Sequence, residues 1–133
     1  MIGLVIATHS RIGEELLNAA RMIFGKTSEA QAVSIRREDS MDAIQALMDK
    51  AVAAVGVSGD GVLVLTDMFG GTPSNIGLTF LDPGKVEVLT GVNLPMVLKF
   101  FNRREKQPLS ELAAGLKVHG QDSITLASDL LQK

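Results

Sequence analysis

Short apolar runs alternate along this chain with stretches whose apolar residues recur every three or four positions. Ile2-Gly3-Leu4-Val5-Ile6-Ala7 gives way to such a stretch from Arg11, and Val62-Leu63-Val64-Leu65-Thr66 to another from Thr72. Strands separated by helices pair in parallel, because a parallel pair needs a crossover and cannot close through a hairpin. The predicted fold is therefore α/β: a doubly wound, mainly parallel sheet with helices on both faces and room for an antiparallel edge strand. A chain of 133 residues, 46% of them apolar, can bury the core of one such unit, so residues 1–133 are expected to form a single domain.

Local signals place the elements. Ser10 is the expected N-cap of the first helix, with Glu14 and Glu15 near its positive end and Gly25 as its stop. Ile12, Leu16, Ala19, Ala20 and Ile23 should form its buried face. Ala30 to Ile35 reads as an edge strand, and Ser40 to Val55 as a helix burying Met41, Ile44, Leu47, Met48 and Val52. Thr72 followed by Pro73 predicts a helix start, with the helix running to about Asp82-Pro83-Gly84 and a fourth strand from Lys85 to Leu89. Asn93-Leu94-Pro95 opens a further helix in which Met96, Val97, Leu98, Phe100 and Phe101 crowd every side. Such a helix needs cover on more than one side, which predicts a dimer interface unless the last helical segment, Ser110 to about Leu131, covers it. Gly115 and Gly120 interrupt that last segment.

Composition removes several classes of function. There is no cysteine, hence no disulfide framework and no thiolate metal site. With a net charge of −2 and neither Trp nor Tyr, the chain lacks the footprint of a nucleic-acid binder. Arg36-Arg37 and Arg103-Arg104 are short basic pairs, each followed by an acid. The first apolar run is too short for a membrane span and has no basic lead, so a cytoplasmic protein is expected.

Chemistry gathers at two strand exits. The first strand ends in Thr8-His9-Ser10 and the third in Asp67-Met68-Phe69-Gly70-Gly71-Thr72-Pro73-Ser74. Ligands bind at the carboxyl ends of strands in open α/β sheets, and right-handed crossovers set strands one and three side by side. Asp67 can then accept a hydrogen bond from one ring nitrogen of His9, leaving the other with a free lone pair. The Gly70-Gly71 turn into a helix at Thr72 and Ser74 suits one phosphoryl group. No lysine follows where a Walker A loop would place one, so a nucleoside triphosphate is not expected. His119 stands far along the chain as a surface residue, and no metal-ligand spacing surrounds His9. Ser10 is not part of a Gly-x-Ser-x-Gly elbow, which disfavours a serine hydrolase.

These blocks, together with Gly91-Val92-Asn93-Leu94-Pro95-Met96, resemble over the whole length of the chain the IIA component of the mannose-family sugar phosphotransferase system of bacteria. The resemblance implies that His9 takes a phosphoryl group from a histidine-containing phosphocarrier protein and passes it to a IIB component for sugar uptake. Asp67 would orient the imidazole, while Gly70, Gly71, Thr72 and Ser74 hold the phosphate, with Arg11 a candidate cation beside it. It implies no cofactor and no metal, contact with the membrane only through transporter subunits, and a homodimer that exchanges an edge strand. Residues 115–120 are a candidate for the exchanged segment. Since the sequence ends at Lys133 without a fused IIB domain, the expected acceptor is a separate protein. A regulatory module using the same phosphohistidine without a transporter is the alternative, and a plain phosphate-ligand binder a third. Neither the sugar nor the choice between transport and regulation is legible in these residues.

Overall fold

The computed structural model describes residues 1–131. Its strands are β1 (Gly3–His9), β2 (Ala30–Ile35), β3 (Val62–Thr66) and β4 (Val86–Thr90); its helices are α1 (Ile12–Phe24), α2 (Met41–Val55), α3 (Thr72–Leu78), α4 (Leu94–Arg103) and α5 (Leu109–Asp122), followed by a 3₁₀ turn at Ala127–Leu131. The sheet order is β2-β1-β3-β4 and every pairing is parallel. Among the described residues there is no antiparallel edge strand; an isolated antiparallel bridge joins Asp82 and Val86.

The strand alternation sorts the core into two layers. Leu4, Ile6, Leu63 and Leu65 pack on one face with residues of α1, α4 and α5. Val5, Ala7, Val62 and Val64 pack on the other with residues of α2 and α3. Ala7 is level with Thr66 across the β1–β3 pair, so the next residues of both strands leave the sheet together. The connections reverse direction between these two strands, and His9 and Asp67 emerge at that switch point.

Several local expectations shift. Ser10 does not cap α1; it turns the chain at φ +53, and its N–H donates to Ile35 O. The cap is made from further back, by Thr8, whose buried hydroxyl oxygen accepts from Gly13 N–H at 2.8 Å. Gly13 lies so close to β1 that an added Cβ would stand 2.8 Å from Ile6 O. This contact sets the rotation of α1: Leu17 and Ala20 are buried, whereas Ile12 and Ile23 of the expected face are exposed. In α2, Met41 and Leu47 are likewise exposed, and Ala51 and Val55 complete the buried face. Ser40 caps this helix by accepting from Ala43 N–H. Helix α3 ends at Leu78 with Gly71 at its N-cap and Thr72 as its first residue, one position earlier and several residues shorter than expected.

Helix α4 corrects the reasoning that predicted an interface there. Met96, Val97, Phe100 and Phe101 are all buried within the chain, in one cluster with Leu109, Leu112 and Leu116 of α5. Helix α5 is continuous through Gly115, and Gly120 lets it approach Met96, whose methyl group would stand 2.6 Å from an added Cβ. Residues 115–120 are thus part of a helix that packs on the core of its own chain through Leu116 and Gly120.

Arg104, in sequence only the second member of a short basic pair, is 5% exposed. Its guanidinium donates to Ile2 O at 2.8 and 3.0 Å, to Ser28 O at 2.6 Å and to Glu29 O at 3.2 Å. It also lies over the rings of Phe100 and Phe101. Burial lowers its pKa from the ordinary arginine value, with Glu29 and Glu105 opposing that shift. One side chain therefore joins the end of α4 to the starts of β1 and β2. Arg104→Ala removes these bonds, leaving Glu29 O only its bond from Leu4 N–H, and is expected to cost about 2 kcal/mol, measured as a lower urea midpoint at unchanged m.

Candidate active site

His9 closes β1, whose preceding six residues are all buried, at the point where the chain leaves the core; its side chain is 48% exposed. Asp67 follows β3 and is only 13% exposed. One carboxylate oxygen, Oδ2, meets His9 twice, at 2.8 Å from the ring Nδ1 and at 3.1 Å from the backbone N–H. The other, Oδ1, accepts from Met68 N–H at 3.1 Å. The carboxylate is therefore held by the backbone before the ring arrives. An ionised carboxylate only accepts hydrogen bonds, so in the neutral ring this contact favours the tautomer with its proton on Nδ1 and the lone pair on Nε2.

The Nε2 edge faces the glycine turn. An added Cβ on Gly71 would stand 2.7 Å from His9 Cε1 and 3.3 Å from Nε2, so the absence of a side chain there lets backbone and imidazole touch. Gly70 turns the chain at φ +88, a backbone conformation that favours glycine. Thr72 lines the same groove as His9, while Ser74 is fully buried and its hydroxyl has no hydrogen-bond partner. The first intrahelical hydrogen bond of α3 is donated by Asn75 N–H to Gly71 O, which leaves the Thr72 and Ser74 N–H groups outside the helical ladder. With seven residues, α3 adds little dipole; the contact between Gly71 and the ring is the stronger feature. Gly71→Ala pushes the ring off its carboxylate or shields Nε2. On the sequence-based expectation that His9 accepts a phosphoryl group, the substitution should slow that acceptance about tenfold while the thermal midpoint changes little, since small misplacements of reacting groups are costly. Labelling rate and thermal melt of the same preparation check both halves.

The remaining candidates fall outside this cluster. Arg11 pairs with Glu14 at 3.3 Å, its side chain 67% exposed, and borders a different groove. His119 is half-buried on α5, in a cavity with Lys99, Arg103 and Asp122. Among the described residues no group of three or more His, Cys, Asp or Glu is placed to hold a metal ion. The groove beside His9, about 660 Å³, is instead bordered by Arg36 and Arg37. The sequence displayed them as a basic pair, but only the level pairing of His9 with Ile35 brings them to the histidine.

The fold and site define a doubly wound α/β protein whose switch point carries a histidine oriented by an enclosed carboxylate. Residues 3–117 match the model of the family described as PTS system fructose IIA component. The chain is 31% identical over 134 residues to the PTS system fructose-specific EIIA component of Bacillus subtilis, covering all of this chain and 91% of that one. It is 28% identical over 125 residues to the mannose-specific EIIAB component of Escherichia coli, covering 92% of this chain and 38% of that longer protein. Among solved structures, the mannose/sorbose specific IIA subunit from Enterococcus faecalis superposes with a TM-score of 0.79 at 33% identity, over 94% of this chain and 93% of that one. A IIA protein associated with the fucose utilization operon of Streptococcus pneumoniae, at 23% identity, has the same fold with a TM-score of 0.87, over 98% of this chain and 96% of that one. The chain belongs to the mannose-family IIA components of the sugar phosphotransferase system, which are phosphotransfer proteins of sugar uptake. No helix among the described residues is long and apolar enough to cross a membrane.

Proposed function

We propose that this IIA component is a phosphoryl carrier that takes its phosphoryl group on His9 Nε2 from a histidine-containing phosphocarrier protein and delivers it to a IIB component. The observation that carries the reading is the 2.8 Å contact of Nδ1 with Asp67, which leaves the opposite nitrogen as the nucleophile. In the forward step the Nε2 lone pair forms the new P–N bond, and the electron pair of the donor's P–N bond returns to the donor nitrogen. No proton has to move. His9 becomes positively charged at the ring, and the Asp67 carboxylate lies against that charge. Gly70, Gly71, Thr72 and Ser74 form the phosphate cradle, through backbone N–H groups and the Thr72 hydroxyl. The buried Ser74 hydroxyl would have to turn outward to take part. Neither a cofactor nor a metal is needed, because neither partner is a nucleotide. Residues 1–133 act as one IIA domain in the cytoplasm, and the membrane enters only through the transporter subunits that follow IIB. Incubation with a reconstituted phosphocarrier system should add one acid-labile phosphate, seen by intact mass; an unmodified protein overturns the reading.

A homodimer belongs to the same proposal, though its support has moved from α4. Strand β4 is a sheet edge, and a groove of about 400 Å³ bordered by Phe69, Leu78, Val88 and Ile124 runs beside it. Ile124, Leu126, Leu130 and Leu131 leave between two thirds and four fifths of their surface exposed, so the segment at 124–131 is the candidate for exchange. Sedimentation equilibrium at micromolar concentration should give twice the chain mass, and a clean monomer mass would remove this part of the proposal.

A further inference from the structure

We propose that Arg36 and Arg37 are phosphoryl-binding residues, a pair of guanidinium groups that neutralise the phosphoryl oxygens as the group arrives on His9. The inference rests on the phosphocarrier reading of His9 and adds the cationic side of its site. Both arginines stand at the exit of β2, and adjacent strands lie about 4.8 Å apart, well within the span of an arginine side chain. The juxtaposition is built into the backbone: His9 is level with Ile35 across the β1–β2 pair, and Ser10 N–H donates to Ile35 O at 2.8 Å. Arg36 and Arg37 then border the same groove as His9 and Thr72.

The loop that carries them is held without using their charges. Asp39 accepts from the Arg36 backbone N–H at 2.9 Å, and Asp39 N–H donates to Arg36 O. Glu38 and Asp39 border the groove as well, yet neither carboxylate comes within ion-pair distance of either guanidinium. Among the described residues the two guanidinium groups make no hydrogen bond or ion pair. Of the other arginines, Arg11 is held by Glu14, Arg21 by Thr27 and Asn18, and Arg104 by backbone carbonyls, while Arg103 borders the separate cavity of α5. Arg11, the cation that the sequence placed nearest His9, is thus replaced in that role by a pair that is remote in sequence. A guanidinium presents forked donors that match phosphoryl oxygens, and fixed positive charge at the transferring group lowers the barrier. The groove also explains how two free cations can be kept at one loop: they face a site that is filled during transfer by a dianion.

The test separates contact with the phosphoryl group from recognition of a protein donor. Wild type, Arg36→Ala/Arg37→Ala and Arg36→Lys/Arg37→Lys are labelled with phosphoramidate and, separately, with the phosphorylated phosphocarrier protein. With phosphoramidate, whose nitrogen already carries three protons near neutral pH, Nε2 bonds to phosphorus and ammonia leaves with the pair of the broken P–N bond. The double alanine variant should be slower by about tenfold or more with both donors, a modest figure for a charge clamp because these side chains are exposed. The double lysine variant should recover part of the rate, since it restores charge without the fork. Unchanged rates, or slowing with the protein donor alone, overturn the proposal and assign the arginines to the surface or to the partner. Wild-type protein that is not labelled at His9 by either donor overturns the phosphocarrier reading as well; labelled wild type with equally fast variants overturns only the arginine role.

Discussion

His9→Ala is expected to stay folded and to accept no phosphoryl group. The substitution removes the only imidazole that the described residues place at the switch point, and the guanidinium groups bordering the same groove carry no nucleophilic lone pair. Stability should be nearly unaffected, because the imidazole is half exposed, belongs to neither core cluster, and has one side-chain hydrogen bond, to Asp67. The bond from the His9 backbone N–H to Asp67 does not depend on the side chain and survives the change. His119→Ala serves as the paired control and should label like wild type, since His119 lies in a separate cavity on α5. Phosphoryl incorporation from the phosphocarrier system, read by intact mass beside a thermal melt, checks both variants. Labelling that persists in His9→Ala would place the acceptor elsewhere.

Asp67→Asn should slow phosphoryl acceptance about a hundredfold or more while the protein still folds. Two effects act in the same direction. An asparagine can turn its amide N–H toward Nδ1, which then accepts and moves the ring proton to Nε2, so the lone pair is lost where it is needed. The amide also lacks the negative charge that lies against the ring as it becomes positive. The fold tolerates the change because the amide oxygen can still accept from the Met68 or His9 backbone N–H. Single-turnover labelling decides the matter, and a wild-type rate would leave Asp67 with a purely structural role.

What the sequence disclosed was what neighbouring residues determine. The strands at Val62–Thr66 and Ala30–Ile35, the helix starts near Ser40 and Asn93 and the Gly25 stop all follow from local chemistry, and all are present. The meeting of His9 with Asp67 was legible as well, because the handedness of crossovers leaves strands one and three few ways to sit. Features made by distant contacts were not. Thr8 rather than Ser10 caps α1 because the chain reverses at Ser10, and no nearby pattern distinguishes the two hydroxyls. The cover of α4 depends on how closely Gly120 lets α5 approach, and in sequence that glycine looks only like a break in a helix. Arg104 looks like an ordinary cation at a helix end, yet its bonds span 75 to 102 residues of chain. Arg36 and Arg37 were equally hidden: their place beside His9 comes from strand register, which residue types alone do not reveal.

The Arg104 anchor divides β1 into two territories. At its amino end the strand is held by a buried guanidinium; at its carboxyl end, some 20 Å away at strand spacing, stands the imidazole. Substitutions that disturb folding and substitutions that disturb transfer should therefore map to opposite poles of one seven-residue strand. The loops around His9 are consequently constrained by the groove they border more than by the stability of the sheet, because the strand beneath them is secured from its other end.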